Sequence, residues 1–309
     1  MTQEAVDERT ILTDSSFPMS SVQVSCHYLA RLMLPWDLEG MFLPSFSPIS
    51  ASGSTPTQWM IVMHGIYGRG GNWRSFARKL CEQKPEWGCL LVDLRMHGKS
   101  MAAPPPHDLG ACARDLLTLI DQQARSGQTV GAVLGHSFGG KVALEMRRRR
   151  QALPTLWVID SSPSAVPNAM KDEGKSVVAV LRMLETLPDH FESRDSFLSV
   201  VQASGFDKNL ALWLAMNLER NGEQYQLSLR APAMNELLAD YFSRDLWSVM
   251  EAHGEAIHLV CATRGSAVTD DDRSRLRELP VQVHSLDGGH WLHVDALEPL
   301  VTLVASHLS

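Results

Sequence analysis

The sequence predicts an α/β protein built on a doubly wound, mostly parallel sheet with helices on both faces. Three observations predict it. Short, nearly continuous apolar runs recur along the chain, periodic stretches long enough for crossover helices separate them, and a strand-like run turns through Gly135-His136-Ser137-Phe138-Gly139 directly into a helix-forming segment. Strands buried on both faces read as unbroken apolar runs, and parallel neighbours need a crossover of helical length between them.

The runs are "WMIVMHG" from Trp59, "CLLVDLR" from Cys89, "VGAVLGHS" from Val130, "TLWVIDSS" from Thr155, "AIHLVCAT" from Ala256 and "VQVHSL" from Val281. Before Gln58, "VQVSCHYLARLML" is read as edge strands and "PSFSPISASGSTPT" as a Pro/Ser-rich loop. The rhythm breaks once. Between Ser161 and Gly254 only helix-like pieces occur, among them "SVVAVLRMLETL", "KNLALWLAMNLERN" and "MNELLADYFSRDLWSVM". This is the pattern of a helical cap inserted after the fifth or sixth strand. The expected organisation is an N-terminal segment over 1–58, a sheet core from 59–160 and 255–309, and the cap over 161–254.

Composition bounds the function. The chain has 309 residues, 44% hydrophobic and 20% charged, enough for a large globular core. Its 28 Lys and Arg stand against 35 Asp and Glu, a formal charge of −7, which disfavours nucleic acid and anionic lipid as partners. The one basic run, Arg147 to Arg150, falls where a helix should end and is read as solvated arginines favoured by the helix dipole. Five scattered cysteines without a C-x-x-C pair suggest neither a disulfide framework nor a zinc site, and fit a reducing cytosol. The acidic amino terminus has no apolar h-region and no run is long enough to span a bilayer, so a soluble, untargeted, cytoplasmic protein without an integral membrane segment is expected.

Ser137 carries the chemistry. A serine on a strained turn between strand and helix projects above the carboxyl edge of the sheet, and glycines around it avoid clashes with the tight backbone. The helix that starts there turns N–H groups toward the same spot. A serine hydroxyl needs a base, and the base needs an acid to hold its tautomer. His290, after the last apolar run and a Gly-Gly pair in "SLDGGHWLHVDALEPL", is placed to be that base, ahead of His293, which is read as facing the closing helix. The N–H of Ile66, with that of Phe138, is placed to form an oxyanion hole, Tyr67 being a poorer candidate. His64, His97 and His136 are read as structural.

With "HGIYGRGGNWRSFARKL", "VDLRMHGKS", "GHSFGGKVAL", "VIDSSP" and "GGHWLHVDALEPL" in this order, the chain resembles the α/β-hydrolase superfamily, and within it small esterases carrying GHS-x-GGK. The resemblance implies an eight-stranded sheet, a helical cap, no cofactor and no metal, with Ser137 as nucleophile, His290 as base, and Ile66 and Phe138 as oxyanion donors. For the acid it offers two places. One lies after the strand following the cap, where Ser266 stands and Asp270, Asp271 and Asp272 come later, like the acidic start of a helix. The other is Asp160 in "VIDSSP", as in the esterases most like this chain.

The function expected is hydrolysis of a small carboxylic ester or thioester through an acyl-enzyme. Met170, Met183, Trp213, Met216 and Trp247 suggest a cap whose apolar underside favours an apolar acyl group. The same constellation would also serve carbon–carbon bond hydrolysis or perhydrolysis, or survive in a non-catalytic ligand receptor. A dehalogenase is disfavoured, because the nucleophile position holds serine and not aspartate.

Overall fold

All six apolar runs are strands of one sheet. The computed structural model describes residues 41–172, 174 and 176–309. Its main sheet has seven strands: β1 (Phe46–Ile49), β2 (Gln58–Met63), β3 (Trp87–Val92), β4 (Thr129–His136), β5 (Thr155–Ile159), β8 (Ile257–Ala262) and β9 (Gln282–Leu286). Their order is β1-β3-β2-β4-β5-β8-β9. Every neighbouring pair is parallel except β1 with β3. The run of 22–34 read as edge strands lies outside the described residues, and seven strands stand among the described ones where eight were expected.

The helices divide between the two faces. Helices α1 (Arg74–Gln83) and α11 (Leu297–Ser306) cover one side, burying Phe76, Leu80, Leu300 and Val304 against Met60, Leu134 and Val260. Helices α2 (Leu109–Arg125) and α3 (Phe138–Arg149) cover the other, where Leu116 and Val142 meet Ile61, Val133 and Val158. Alternation along each strand sends odd and even residues to opposite faces, so strands sandwiched this way must be apolar throughout. That is why they were legible.

Two expectations need correction. Part of the stretch read as a Pro/Ser-rich loop is a strand: Phe46–Ile49 runs antiparallel to β3 and is the edge strand among the described residues, a place where Pro48 is tolerated. The segment between β5 and β8 is not wholly helical. Helices α4 (Ser176–Leu184), α5 (Arg194–Ala203), α6 (Lys208–Leu214), α7 (Ala231–Ser243) and α8 (Trp247–His253) are interrupted by a hairpin of β6 (Leu218–Asn221) and β7 (Gln224–Leu227). "KNLALWLAMNLERN" therefore leaves the helix before its end. Gly222, at φ 63°, opens the two-residue turn that a tight hairpin requires.

The arginine run is also more than a solvated helix end. Arg147 is buried and donates to the carbonyls of Gln151 and Pro154 at 2.6 and 2.7 Å, fastening the turn into β5. Arg148 and Arg149 both pair with the buried carboxylate of Glu145, and Arg150 pairs with Asp121.

Candidate active site

The turn from β4 into α3 holds Ser137 at φ 52°, ψ −113°, a conformation that costs an L residue energy and persists only where the surroundings impose it. Those surroundings are glycines. A Cβ on Gly135 would stand 2.1 Å from the carbonyl oxygen of Gly139, and one on Gly139 would stand 2.7 Å from that of His64. Any side chain at either position would push the elbow apart. Ser137 N–H donates to Ile159 O at 2.9 Å, tying the turn to the neighbouring strand.

Asp160 closes β5 with a φ of 45° and a side chain wholly out of solvent. Its carboxylate accepts four hydrogen bonds: Oδ1 from Ala262 N at 3.0 Å and the Ser266 hydroxyl at 2.5 Å, Oδ2 from Ala267 N at 3.1 Å and His290 Nδ1 at 2.7 Å. Burial alone would push this carboxyl up. The donors from His290, Ser266 and the two backbone amides outweigh it and hold the group below the ordinary carboxylate range. Because Nδ1 gives its proton to the carboxylate, Nε2 of His290 carries the lone pair. The backbone of His290 is anchored as well, its carbonyl accepting Nε2–H of His136 at 2.9 Å.

Ser137 and His290 line one cavity of about 570 Å³, with Ile66 and Phe138 in the same wall. The loop carrying Ile66 is pinned by two neutral histidines. His64 donates Nδ1–H to Gly65 O and accepts Leu94 N–H on Nε2 at 3.0 Å. His97 donates Nδ1–H to Arg95 O and accepts Tyr67 N–H on Nε2 at 3.2 Å. Burial pushes His64 down to about 4 and His97 down to about 3, so both stay neutral acceptors. Tyr67 N–H is thereby committed to His97.

Of the remaining sequence candidates, Asp271 and Asp272 line the same cavity, but the carboxylate bonded to His290 is that of Asp160. Helix α9 (Asp270–Leu276) begins at the acidic triplet, with Thr269 as its N-cap. Asp270 and Asp271 are exposed, but Asp272 is buried, against the expectation of a solvated helix start. It bonds the Ser164 hydroxyl at 2.5 Å and Thr269 N–H at 3.0 Å. His293, in α10 (Leu292–Asp295), stacks on Trp73 with ring centroids 4.5 Å apart, and burial pushes it down to about 4. Met170, Met183, Trp213, Met216 and Trp247 are all absent from the cavity wall, whose apolar part includes, besides Ile66 and Phe138, Val166, Val177, Leu238, Tyr241 and Phe242.

Lys141, the lysine of "GHSFGGKVAL", is a further polar residue behind the elbow. It is 1% exposed, and its Nζ donates to the carbonyls of Ser164, Tyr241 and Arg244 at 2.8, 2.8 and 2.9 Å. Ser164 leaves the sheet after β5, while Tyr241 and Arg244 close α7, so one ammonium on the helix behind Ser137 ties together both ends of the inserted segment. Burial pushes it down to about 8. A lysine in an amphipathic helix usually points to water, and only the fold shows this one turned inward.

What classes this protein is the sharp turn of a central parallel strand into a helix through a strained serine, a geometry found in α/β hydrolase-fold proteins. The chain belongs to the alpha/beta hydrolase family, which it matches over residues 60–303. It is 27% identical over 261 residues to the sn-1-specific diacylglycerol lipase ABHD11 of Danio rerio, covering 78% of this chain and 74% of that protein. It is 26% identical over 186 residues to a probable alcohol acetyltransferase of Saccharomyces cerevisiae, covering 54% and 53%. Among solved structures, a marine microorganism esterase superposes with a TM-score of 0.70 at 21% identity, over 86% of this chain and 99% of that one. The thioesterase domain from the curacin biosynthetic pathway does so at 0.59 and 17%, over 85% and 99%. No helix among the described residues is long and apolar enough to cross a membrane.

Proposed function

We propose that the protein is a serine hydrolase of the GHS-x-GGK esterase type that cleaves carboxylic esters or thioesters through an acyl-enzyme. The observation that carries this reading is the 2.7 Å bond between His290 Nδ1 and the buried Asp160 carboxylate, in the cavity that Ser137 lines. The relatives named as a lipase and an acetyltransferase, enzymes of acyl chemistry, support it. In this scheme Ser137 Oγ attacks the substrate carbonyl and His290 Nε2 takes its proton, while Asp160 stabilises the imidazolium that forms. The N–H groups of Ile66 and Phe138 receive the oxyanion. His290 then returns the proton to the departing alcohol or thiol, and water, activated by the same imidazole, releases the acid. The cavity wall of Val177, Leu238 and Phe242 suits an apolar acyl group.

A fluorophosphonate probe tests this. It should label the protein once, at Ser137 by mass spectrometry, and Ser137→Ala should stay unlabelled and lose on the order of 10⁴ to 10⁶ in kcat on p-nitrophenyl or acyl-CoA esters. A folded wild-type protein that the probe leaves unlabelled, or labels at another serine, would refute the assignment. A panel of graded chain length reads the acyl preference.

A further inference from the structure

Three histidines outside the proposed catalytic array converge on the face of the sheet that α11 covers. His258 is the second residue of β8, His284 lies in β9, and His307 follows the last turn of α11. In the parallel pairing His258 stands opposite Gln282 and Val260 opposite His284, so both imidazoles leave the sheet on the same side, offset by two residues. His258 Nδ1 and His284 Nε2 are 3.1 Å apart, and the two rings are stacked within 9° of parallel. The ring of His307 meets both edge-on, with centroids 4.8 and 5.4 Å away. One nitrogen from each of the three lies within 4.8 Å of the others.

A tetrahedral zinc ion bound at 2.0–2.1 Å holds its nitrogens about 3.4 Å apart. The separations here bracket that value, and His307, being exposed, has room to close the longer one and leaves a path for an ion from solvent. The ligand chemistry is also prepared. His307 donates Nδ1–H to Leu303 O at 2.9 Å, which places its lone pair on Nε2, the outer bond that orients metal-binding imidazoles. Trp157 stacks on His258 at 4.0 Å and walls the inner side.

We propose that His258, His284 and His307 bind a borderline divalent transition-metal cation, Zn²⁺ or Cu²⁺, with three imidazoles and a fourth position open to solvent. Imidazole sets of this kind suit these ions and not Mg²⁺ or Ca²⁺. Neutral imidazoles need lose no net proton on binding, because the proton between His258 and His284 moves to a ring nitrogen facing away from the ion. The site is separate from Ser137. His258 lies near the start of β8 and Ala262, whose N–H binds Asp160, ends it, about 13 Å away along the strand. The bound ion would staple the C-terminal helix to the last two strands. Cysteine spacing gave no sign of a metal site because the ligands are histidines 26 and 23 residues apart, on three different elements.

Calorimetric titration of ZnCl₂ into the EDTA-stripped, full-length protein tests it, with thermal melts alongside. One equivalent should bind and raise Tm, since a ligand that binds only the native state stabilises it. His307→Ala and His284→Ala should each weaken binding by about tenfold or more and abolish the Tm rise. His307 is exposed, so its variant keeps the fold available for the measurement. Absence of binding up to millimolar Zn²⁺, or undiminished affinity in both variants, would overturn the proposal.

Discussion

Replacing Asp160 by asparagine changes one atom and tests the reading of the site most directly. The carboxylate accepts from four donors, two on each oxygen: Ala262 N–H and the Ser266 hydroxyl on one, Ala267 N–H and His290 Nδ1–H on the other. An asparagine side chain has one oxygen and one NH₂, so in either orientation an NH₂ faces a buried backbone N–H. If the NH₂ lies toward His290, the imidazole must shift its proton to Nε2 to accept, and it then presents Ser137 with a donor where a base is needed. If the oxygen lies toward His290, the tautomer survives but the negative charge that stabilises the imidazolium is gone. The unpaired amide should cost about 1–3 kcal/mol of stability. The kcat should fall on the order of 10⁴, about 5.5 kcal/mol of barrier. Urea melts and single-substrate kinetics on a p-nitrophenyl ester measure both, beside Asn variants at 270, 271 and 272. The Asp270 and Asp271 variants should keep turnover within about tenfold, and Asp272→Asn should in addition lose roughly 0.5–2 kcal/mol as a cap. An Asp160→Asn enzyme with near wild-type kcat, or an equal loss at Asp271, would refute the reasoning.

Two further outcomes follow from buried polar groups. Lys141→Met should leave three carbonyls without their donor and cost at least about 3 kcal/mol. Protease nicking should then appear first between residues 161 and 254, and a variant with unchanged urea midpoint and nicking pattern would count against the tie. His64 and His97 titrate at about 4 and about 3 in the native state but near 6.5 when unfolded, so between those values the unfolded chain binds more protons and stability must fall as pH drops. His64 alone accounts for about 3 kcal/mol of the loss, complete only below its folded value. Urea midpoints from pH 7 to pH 4 read it, and a flat profile would show that these imidazoles are not buried as neutral acceptors.

The local chemistry of the sequence was enough for the central strands of the sheet. Six strands were visible because a strand covered by helices on both faces has no polar side to disguise it, and the turn at Ser137 was visible because Gly135 and Gly139 stand where a Cβ would strike backbone. The edge strand at Phe46–Ile49 was hidden for the opposite reason: it is short, largely open to solvent and carries Pro48. Lys141, Arg147 and the three clustered histidines look like ordinary surface residues in one dimension, because what distinguishes them is a partner far along the chain or a burial that only packing creates. The carboxylate proposed as the acid shows the division most clearly. In the sequence, Asp160 and the stretch around Ser266 compete as alternative places, more than a hundred residues apart. In the fold β5 and β8 are parallel neighbours, with Ile159 opposite Val260, so their ends reach the same edge and Ser266 donates to Asp160. Strand order, a property of the whole chain's topology and of no local segment, decides that the two places are one.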